Sequence, residues 1–318
     1  MIQMRRAVRA LYALGGVDIG GVRLCIPFMT ASGTSGHDIE LLPYMPLSKL
    51  GAVTVKSLFH EEWAGNPAPR VHLAQSGMLN AVGLQGPGVD AWVADSLPRL
   101  ESAEVPVVVS IWGRTVNEYA LAAEKLRAVS SRIIALEVNL SCPNLEGRSG
   151  IIAHDPSLAG QIISQVCQTL SVPVWAKLSA NTDRIVEVAT TVVDAGASSL
   201  TLINTMLGMQ IDVSSHRYSL GNGGGGLSGS AIHPIAVRAV HDVRASLPGV
   251  SIVGVGGVAS GADAVELMMA GANAVQVGTA TFARPNATWR IACEAALIAQ
   301  RLGYSSWSDV TSRVHREN

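Results

Sequence analysis

Aromatic residues are scarce in this chain: Phe, Trp and Tyr together make up 4% of its 318 residues. A core for a chain of that length must therefore be built mainly from Ala, Val, Leu and Ile. An excess of either charge is also missing, with 23 Lys and Arg against 24 Asp and Glu. That balance excludes a protein whose main work is neutralising nucleic-acid phosphates or an anionic membrane surface. Charged residues reach only 15% while hydrophobic residues reach 48%, which excludes a disordered chain. The four cysteines, Cys25, Cys142, Cys167 and Cys293, fall at unrelated spacings without a CxxC pair. Neither a zinc site nor a disulfide framework follows from them. The eight histidines contain no HxxxH pairing, so no metal is expected. No segment approaches the ~18–20 uninterrupted apolar residues of a membrane span. The N-terminus has the basic start and short apolar run of a signal peptide, but Asp18 follows soon and no A-x-A cleavage pattern is present. A cytoplasmic, reducing setting is expected, with neither nucleic acid nor membrane as partner.

Glycine is plentiful instead, at 32 residues, about a tenth of the chain against a usual ~7%. Without a collagen-like period, the surplus points to tight turns and to backbone lying close against a ligand. Eight short apolar runs recur: PFMTASG (27–33), AVTVKS (52–57), VPVVVSIW (105–112), ALEVNLS (135–141), VPVWAKLS (172–179), SLTLINT (199–205), VSIVGVGG (250–257) and AVQVGTA (274–280). Near-continuous hydrophobicity of this kind marks strands buried on both faces of a parallel sheet.

Segments of helical period lie between them. In 182–195, Ile185, Val188, Ala189, Val192 and Val193 share one face, and Gly196 stands where a C-terminal cap belongs. Thr115 and Glu118 make a capping-box pattern at the start of 115–128, and 261–271 closes on Gly271. Further helices are expected at about 36–49, 88–102, 156–170, 232–246 and 287–302. Eight strands alternating with eight helices, with no linker between halves, predict one α/β domain over residues 1–318: a (β/α)8 TIM barrel. An open doubly wound sheet is the alternative. Long segments at about 58–87, 141–155 and 206–230 break the rhythm, and long ordered loops of this kind are usually functional.

The strand ends carry a consistent chemistry: Ser32-Gly33, Lys56-Ser57, Ser110, Asn139 with Cys142, Lys177, Asn204-Thr205, Gly256-Gly257 and Gly278-Thr279. A lysine rarely finishes a buried strand without a partner, because desolvating an ammonium is expensive. Lys56 and Lys177 converge on one barrel mouth if the fold is right; the bland reading is that each reaches solvent or pairs with a carboxylate. Carboxylates are read as absent from the strand ends. Gly256, Gly257, Gly278 and Thr279 follow the seventh and eighth strands, where barrels commonly bind phosphate through backbone N–H groups. Ordinary turn glycines are the alternative. Two stretches fit a dinucleotide fingerprint only weakly: GVGGVA (254–259) lacks an acidic residue about 20 positions on, and GNGGGG (221–226) has no strand before it.

Cys142 stands just past a strand in NLSCPN (139–144), whereas Cys25, Cys167 and Cys293 lie in apolar surroundings and read as packing residues. Cys142 alone is as easily structural; flanked by two asparagines and opposite two lysines, it reads as an acid–base or nucleophilic group. Asn80, Asn139, Asn144 and Asn204 each offer donors and an acceptor, which suits a ring of alternating N–H and C=O groups such as a pyrimidine. Singly, each is more often a turn or cap residue.

Together these motifs resemble the class 1 dihydroorotate dehydrogenases. The resemblance runs from about residue 20 to 285 and includes TASGTSG (30–36), TVKS (54–57), GNPAPR (65–70), SGMLNAVGLQGPG (76–88), NLSCPN (139–144), AKLS (176–179), LINTMLGMQID (202–212), GGLSG (225–229), GVGGV (254–258) and AVQVGTA (274–280). It implies oxidation of dihydroorotate to orotate with hydride transfer to FMN. Cys142 would be the base that removes the C5 proton. Lys56, Asn80, Gly83, Leu84, Asn139, Asn144, Asn204 and Thr205 would hold the substrate. Ser32, Lys56, Ser57, Ser110, Asn139, Lys177, Ile203, Gly229, Gly256, Gly257, Gly278 and Thr279 would contact FMN.

LINT at 202–205 and the run after it are most similar to subclass 1B, which implies a homodimer joined by a subunit carrying FAD and an iron–sulfur cluster, with NAD as final acceptor. Fumarate or another acceptor stays open at this point. The chain departs from the 1B pattern at Ser110, usually Asn, at Trp112, and in LEGRSGIIAHDP (145–156), a loop placed to cover the site. Three rivals remain: an FMN enzyme for another dihydropyrimidine or an enone, a non-redox phosphate-binding barrel enzyme, and a non-catalytic scaffold subunit.

Overall fold

The computed structural model describes residues 2–141 and 152–317. All eight expected strands form: β1 (Phe28–Thr30), β2 (Val53–Thr54), β3 (Val107–Ile111), β4 (Ala135–Asn139), β5 (Val174–Leu178), β6 (Ser199–Leu202), β7 (Ser251–Val255) and β8 (Ala274–Val277). They pair in parallel in the order β1-β8-β7-β6-β5-β4-β3-β2. A parallel bridge between Met29 and Ala52 joins the two ends, so the sheet closes into a barrel and the open doubly wound alternative falls. β3, β4 and β5 are buried at every position, as strands with helices outside and packed side chains inside must be.

The helices follow the sequence signals with two exceptions. Thr115 caps Val116–Lys125 by accepting from the Glu118 N–H, and Gly196 and Gly271 take the positive φ that ends the preceding helices. The helix expected over 36–49 does not form. Pro43 and Pro46 interrupt that segment, each without an N–H to donate, and only the short 3-10 turn Leu47–Lys49 remains. The helix expected over 88–102 contains a π turn at Trp92–Ser96, ending two residues before Pro98, whose missing donor shifts the local hydrogen-bond ladder. Cys25 also departs from expectation: it is exposed, while Cys293 is buried and Cys167 lies between.

An antiparallel hairpin, Val17–Ile19 with Val22–Leu24, seals the barrel where the strands begin; the Gly20 N–H donates to Ser251 Oγ at the start of β7. The N-terminal helix Ile2–Ala13 packs on the outer helix Ala287–Arg301. At the opposite end the long segments around 58–87 and 206–230 pair with each other. Val71–Ala74, Gly77–Asn80, Gly224–Ser228 and Met206–Met209 make one four-stranded antiparallel sheet above the barrel mouth. Of the third long loop, only Ser141 and residues 152–155 are among those described. No helix among the described residues is long and apolar enough to cross a membrane.

Candidate active site

A cavity of about 1300 Å³ opens where the barrel strands end, between them and the upper sheet. Sheet register decides which side chains face it. Cross-strand partners share a face, and Val71, Asn80, Gly226 and Leu207 are successive partners. That face, together with Leu73, Met78, Ser228 and Met209, lines the cavity. The other face carries Leu79, Ala74 and Leu227, which pack with Leu220 and Ala81. The sheet therefore offers the cavity polar groups at its deep end and apolar side chains toward solvent.

The strand-end residues converge as the barrel requires. Ser32, Lys56, Ser57, Asn139, Lys177, Ile203, Asn204 and Thr205 line the cavity from below, and Asn80, Gly83 and Leu84 from the loop above. Gly229, Gly256, Gly257, Gly278 and Thr279 line it from the side of β7 and β8. Ser110 does not reach it: fully buried, it meets Ser57 Oγ at 2.8 Å and supports the wall from behind. Cys142 and Asn144 lie outside the described residues.

The asparagines are held by hydrogen bonds. Asn204 Nδ2 donates to Ser141 Oγ at 2.5 Å and to Asn139 Oδ1 at 3.3 Å, and Ser141 Oγ donates to Asn139 Oδ1 at 2.7 Å. The buried Tyr119 hydroxyl donates to the Asn139 carbonyl at 2.7 Å, which fixes the end of β4. Asn80 Nδ2 donates to the Gly226 carbonyl at 3.3 Å across the upper sheet. The result is a fixed set of amide donors and acceptors around the mouth.

Two ammonium groups set the electrostatics. Burial pushes the Lys56 pKa down, and the Arg70 charge adds to that. Arg70 itself stitches the loop together, donating to the carbonyls of Asn66 and Ala64. Burial also lowers the His37 pKa, with the Lys56 charge adding. Lys177 is nearly enclosed; its ammonium donates to Ser32 Oγ at 3.2 Å and stands 3.6 Å from Glu137 Oε1. So the bland reading of Lys177, a carboxylate partner, holds alongside its place in the cavity wall.

Such a cavity, cationic at its deep end and ringed by amides, fits a planar anionic ring with alternating donors and acceptors. The sequence profile that fits is the one described as dihydroorotate dehydrogenase, which matches residues 16–297. The chain belongs to the dihydroorotate dehydrogenase family. Its curated relatives include proteins named dihydroorotate dehydrogenase B (NAD(+)), catalytic subunit. The one from Geotalea uraniireducens is 45% identical over 276 residues, 87% of this chain and 90% of that protein. The one from Geotalea daltonii is 44% identical over 92% of this chain and 95% of its own length. The one from Desulforudis audaxviator is 43% identical over 94% and 97%. These relatives place the chain in the B type of the family.

Dihydroorotate dehydrogenases work with a flavin, and the residues present fit one. The cavity is large enough for a flavin beside a small ring, taking ~300–1,000 Å³ as usual for ligand pockets. Lys177 has three donors, and Ser32 and Glu137 engage only part of that capacity. The turn after β7 suits a phosphate: Gly256 and Gly257 take φ of 138° and 69°, which side-chain-bearing residues rarely adopt. His233 holds that turn, with Nδ1 at 2.8 Å from the Gly256 carbonyl. Thr279 Oγ1 donates to Ser228 Oγ at 2.8 Å and ties the turn after β8 to the upper sheet.

Four residues of this site escaped the sequence reading. Ser141 was visible only as a letter inside NLSCPN. Asn181, whose Nδ2 donates to the Thr205 carbonyl and whose Oδ1 accepts from the Leu207 N–H, had no motif. Glu137 and Gln276 lie fully buried inside the barrel. A signal for Glu137 existed: two residues before Asn139 on the same strand, it must share that residue's inward face.

Proposed function

We propose that this chain is the catalytic subunit of an FMN-dependent dihydroorotate dehydrogenase whose electrons pass through an FAD and iron–sulfur subunit to NAD. Oxidation of dihydroorotate to orotate, in de novo pyrimidine biosynthesis, follows from the family. The flavin form, the acceptor, the residue roles and the assembly are our reading. It rests above all on one observation: two lysines and three asparagines from five different segments converge on one cavity. FMN would supply the acceptor for hydride leaving the substrate's C6. The chain's residues do the rest.

In this reading Cys142 takes the proton from C5. Asn80, Asn139, Asn144 and Asn204 bind the ring's amide edges, and Thr205, Gly83 and Leu84 close around it. Lys56 offers a charged donor to the substrate carboxylate or to the flavin. Ser32, Ser57, Ile203 and Lys177 hold the flavin ring, with Ser110 acting through Ser57. Gly229, Gly256, Gly257, Gly278 and Thr279 hold its phosphate. Residues 1–318 act as one catalytic unit, in the cytoplasm.

Assembly with other chains is supported by the surface. Leu73 is 83% exposed and Val213 84%, and Val71, Leu207, Met209, Ile211 and Tyr218 are also exposed. So many large apolar side chains on these strands and the turn after Asp212 mark a protein-binding surface. We infer a homodimer of this chain, joined by the electron-transfer subunit; the relatives' designation as catalytic subunits supports the second part. Co-expression with a candidate iron–sulfur flavoprotein tests it. Co-purification with dihydroorotate-dependent NAD reduction is expected, and a purified chain that reduces only fumarate or a quinone refutes it.

A further inference from the structure

Beneath the cavity floor lies a carboxylate that the functional reading above gives no part to play. Glu137 is fully buried in the middle of β4, one layer below the ligand space. Its surroundings are all donors. Thr201 Oγ1 and Gln276 Nε2 donate to its Oε2 at 3.2 and 2.9 Å, and the Lys177 ammonium stands 3.6 Å from its Oε1. Gln276 Nε2 also donates to Thr54 Oγ1 at 3.2 Å, and Thr30 Oγ1 accepts from the Thr54 N–H. β1, β2, β4, β6 and β8 thus each contribute one side chain to a polar layer across the barrel. That layer costs desolvation, and replacing such a pair by hydrocarbon is often neutral or stabilising. Barrel stability alone does not explain it.

The layer reaches the site at one point, Lys177. We propose that Glu137 is a positioning residue that acts through Lys177. It anchors the ammonium in the wall and, as its counter-charge, lowers the midpoint potential of the bound flavin; this rests on the flavin reading above. A cation beside a flavin favours the reduced, more negative form, and a carboxylate behind that cation opposes it. The ammonium keeps donor capacity for the cavity because the carboxylate does not approach to hydrogen-bond distance.

The test is the flavin midpoint potential of the holoenzyme, with flavin content measured alongside. Glu137→Gln keeps the shape, and its hydrogen bonds can be satisfied. With its amide oxygen in the Oε2 position the variant still accepts from Thr201 Oγ1 and Gln276 Nε2. The variant should bind FMN and shift the two-electron equilibrium toward reduced flavin by tenfold or more, about 30 mV upward. In a Lys177→Met background the shift should vanish, because the ammonium through which the carboxylate acts is gone. Glu137→Asp, which keeps the charge but withdraws it from the ammonium, should also raise the potential, by less.

An unchanged potential in a fully flavinated Glu137→Gln enzyme overturns the proposal, as does an equal shift in the Lys177→Met background. If Glu137→Gln holds no flavin, a Glu137→Asp enzyme at the parent potential overturns it equally. Failure of the flavin reading looks different: the parent protein itself would bind no FMN.

Discussion

Removing one hydroxyl should loosen the substrate site without emptying the cofactor site. Ser141 Oγ accepts from Asn204 Nδ2 at 2.5 Å and donates to Asn139 Oδ1 at 2.7 Å, in a position only 4% exposed. Ser141→Ala deletes both bonds. Asn139 Oδ1 keeps the Ser141 N–H at 3.3 Å and Asn204 Nδ2 at 3.3 Å, so it is weakened rather than orphaned. Two hydrogen bonds at a net ~0.5–1.5 kcal/mol each give about 1–3 kcal/mol. If that energy holds the asparagines in their binding geometry, kcat/KM for dihydroorotate falls about 5- to 150-fold, at 1.36 kcal/mol per decade. The assay is stopped-flow bleaching of the flavin across substrate concentrations, with the orotate Kd measured by spectral titration. Both should move while the flavin content stays at the parent level. A variant that loses only thermal stability, with kcat/KM and the orotate Kd unchanged, would refute the role given to this triangle.

Three further outcomes are expected. A Cβ at Gly226 would lie 2.1 Å from Thr205 Oγ1 and 2.7 Å from its Cβ, so Gly226→Ala must displace Thr205 at a cost of about 1–3 kcal/mol; the orotate Kd should rise tenfold or more, and an unchanged Kd removes Thr205 from the substrate site. Cys142→Ala should retain flavin yet slow its reduction by dihydroorotate about 10²–10⁴-fold, and normal reduction rates at every pH would take Cys142 out of the chemistry. Burial and the Lys56 charge hold His37 below its ordinary 6.5, so the folded chain binds fewer protons than the unfolded one between the lowered value and 6.5. Stability from this group therefore rises with pH through that window and is level above it; the thermal midpoint of the parent, measured from about pH 5 to 7.5, should fall relative to that of His37→Gln as pH drops below about 6.5, and parallel curves would contradict the shift.

Much of this was legible in the chain. Buried parallel strands leave runs of Val, Ile and Leu, and all eight runs became strands because their hydrophobicity has no competing explanation. The strand-end residues were legible for a related reason: a Lys or Asn closing such a run has nowhere to point but the mouth. The misses have physical causes as well. Helical period over 36–49 was outweighed by Pro43 and Pro46, which remove donors whatever the periodicity. Pairing of Val71–Ala74 and Gly77–Asn80 with Gly224–Ser228 and Met206–Met209 joins segments well over a hundred residues apart, and glycine-rich strands carry no alternation to announce a register. Ser110 ended a strand as expected but faces Ser57 rather than the cavity, a difference of one layer that spacing does not encode. Glu137 was overlooked because an acidic residue inside an apolar strand reads as an interruption until its partner, Lys177 on the adjacent strand, is placed beside it.

The measurement that bears most directly on the central claim is an anaerobic absorbance spectrum of the purified chain, taken before and after adding dihydroorotate. A bound FMN spectrum that bleaches on addition is the predicted result. An FMN spectrum that stays oxidised would contradict the substrate, and a colourless protein that takes up no FMN would contradict the cofactor site itself.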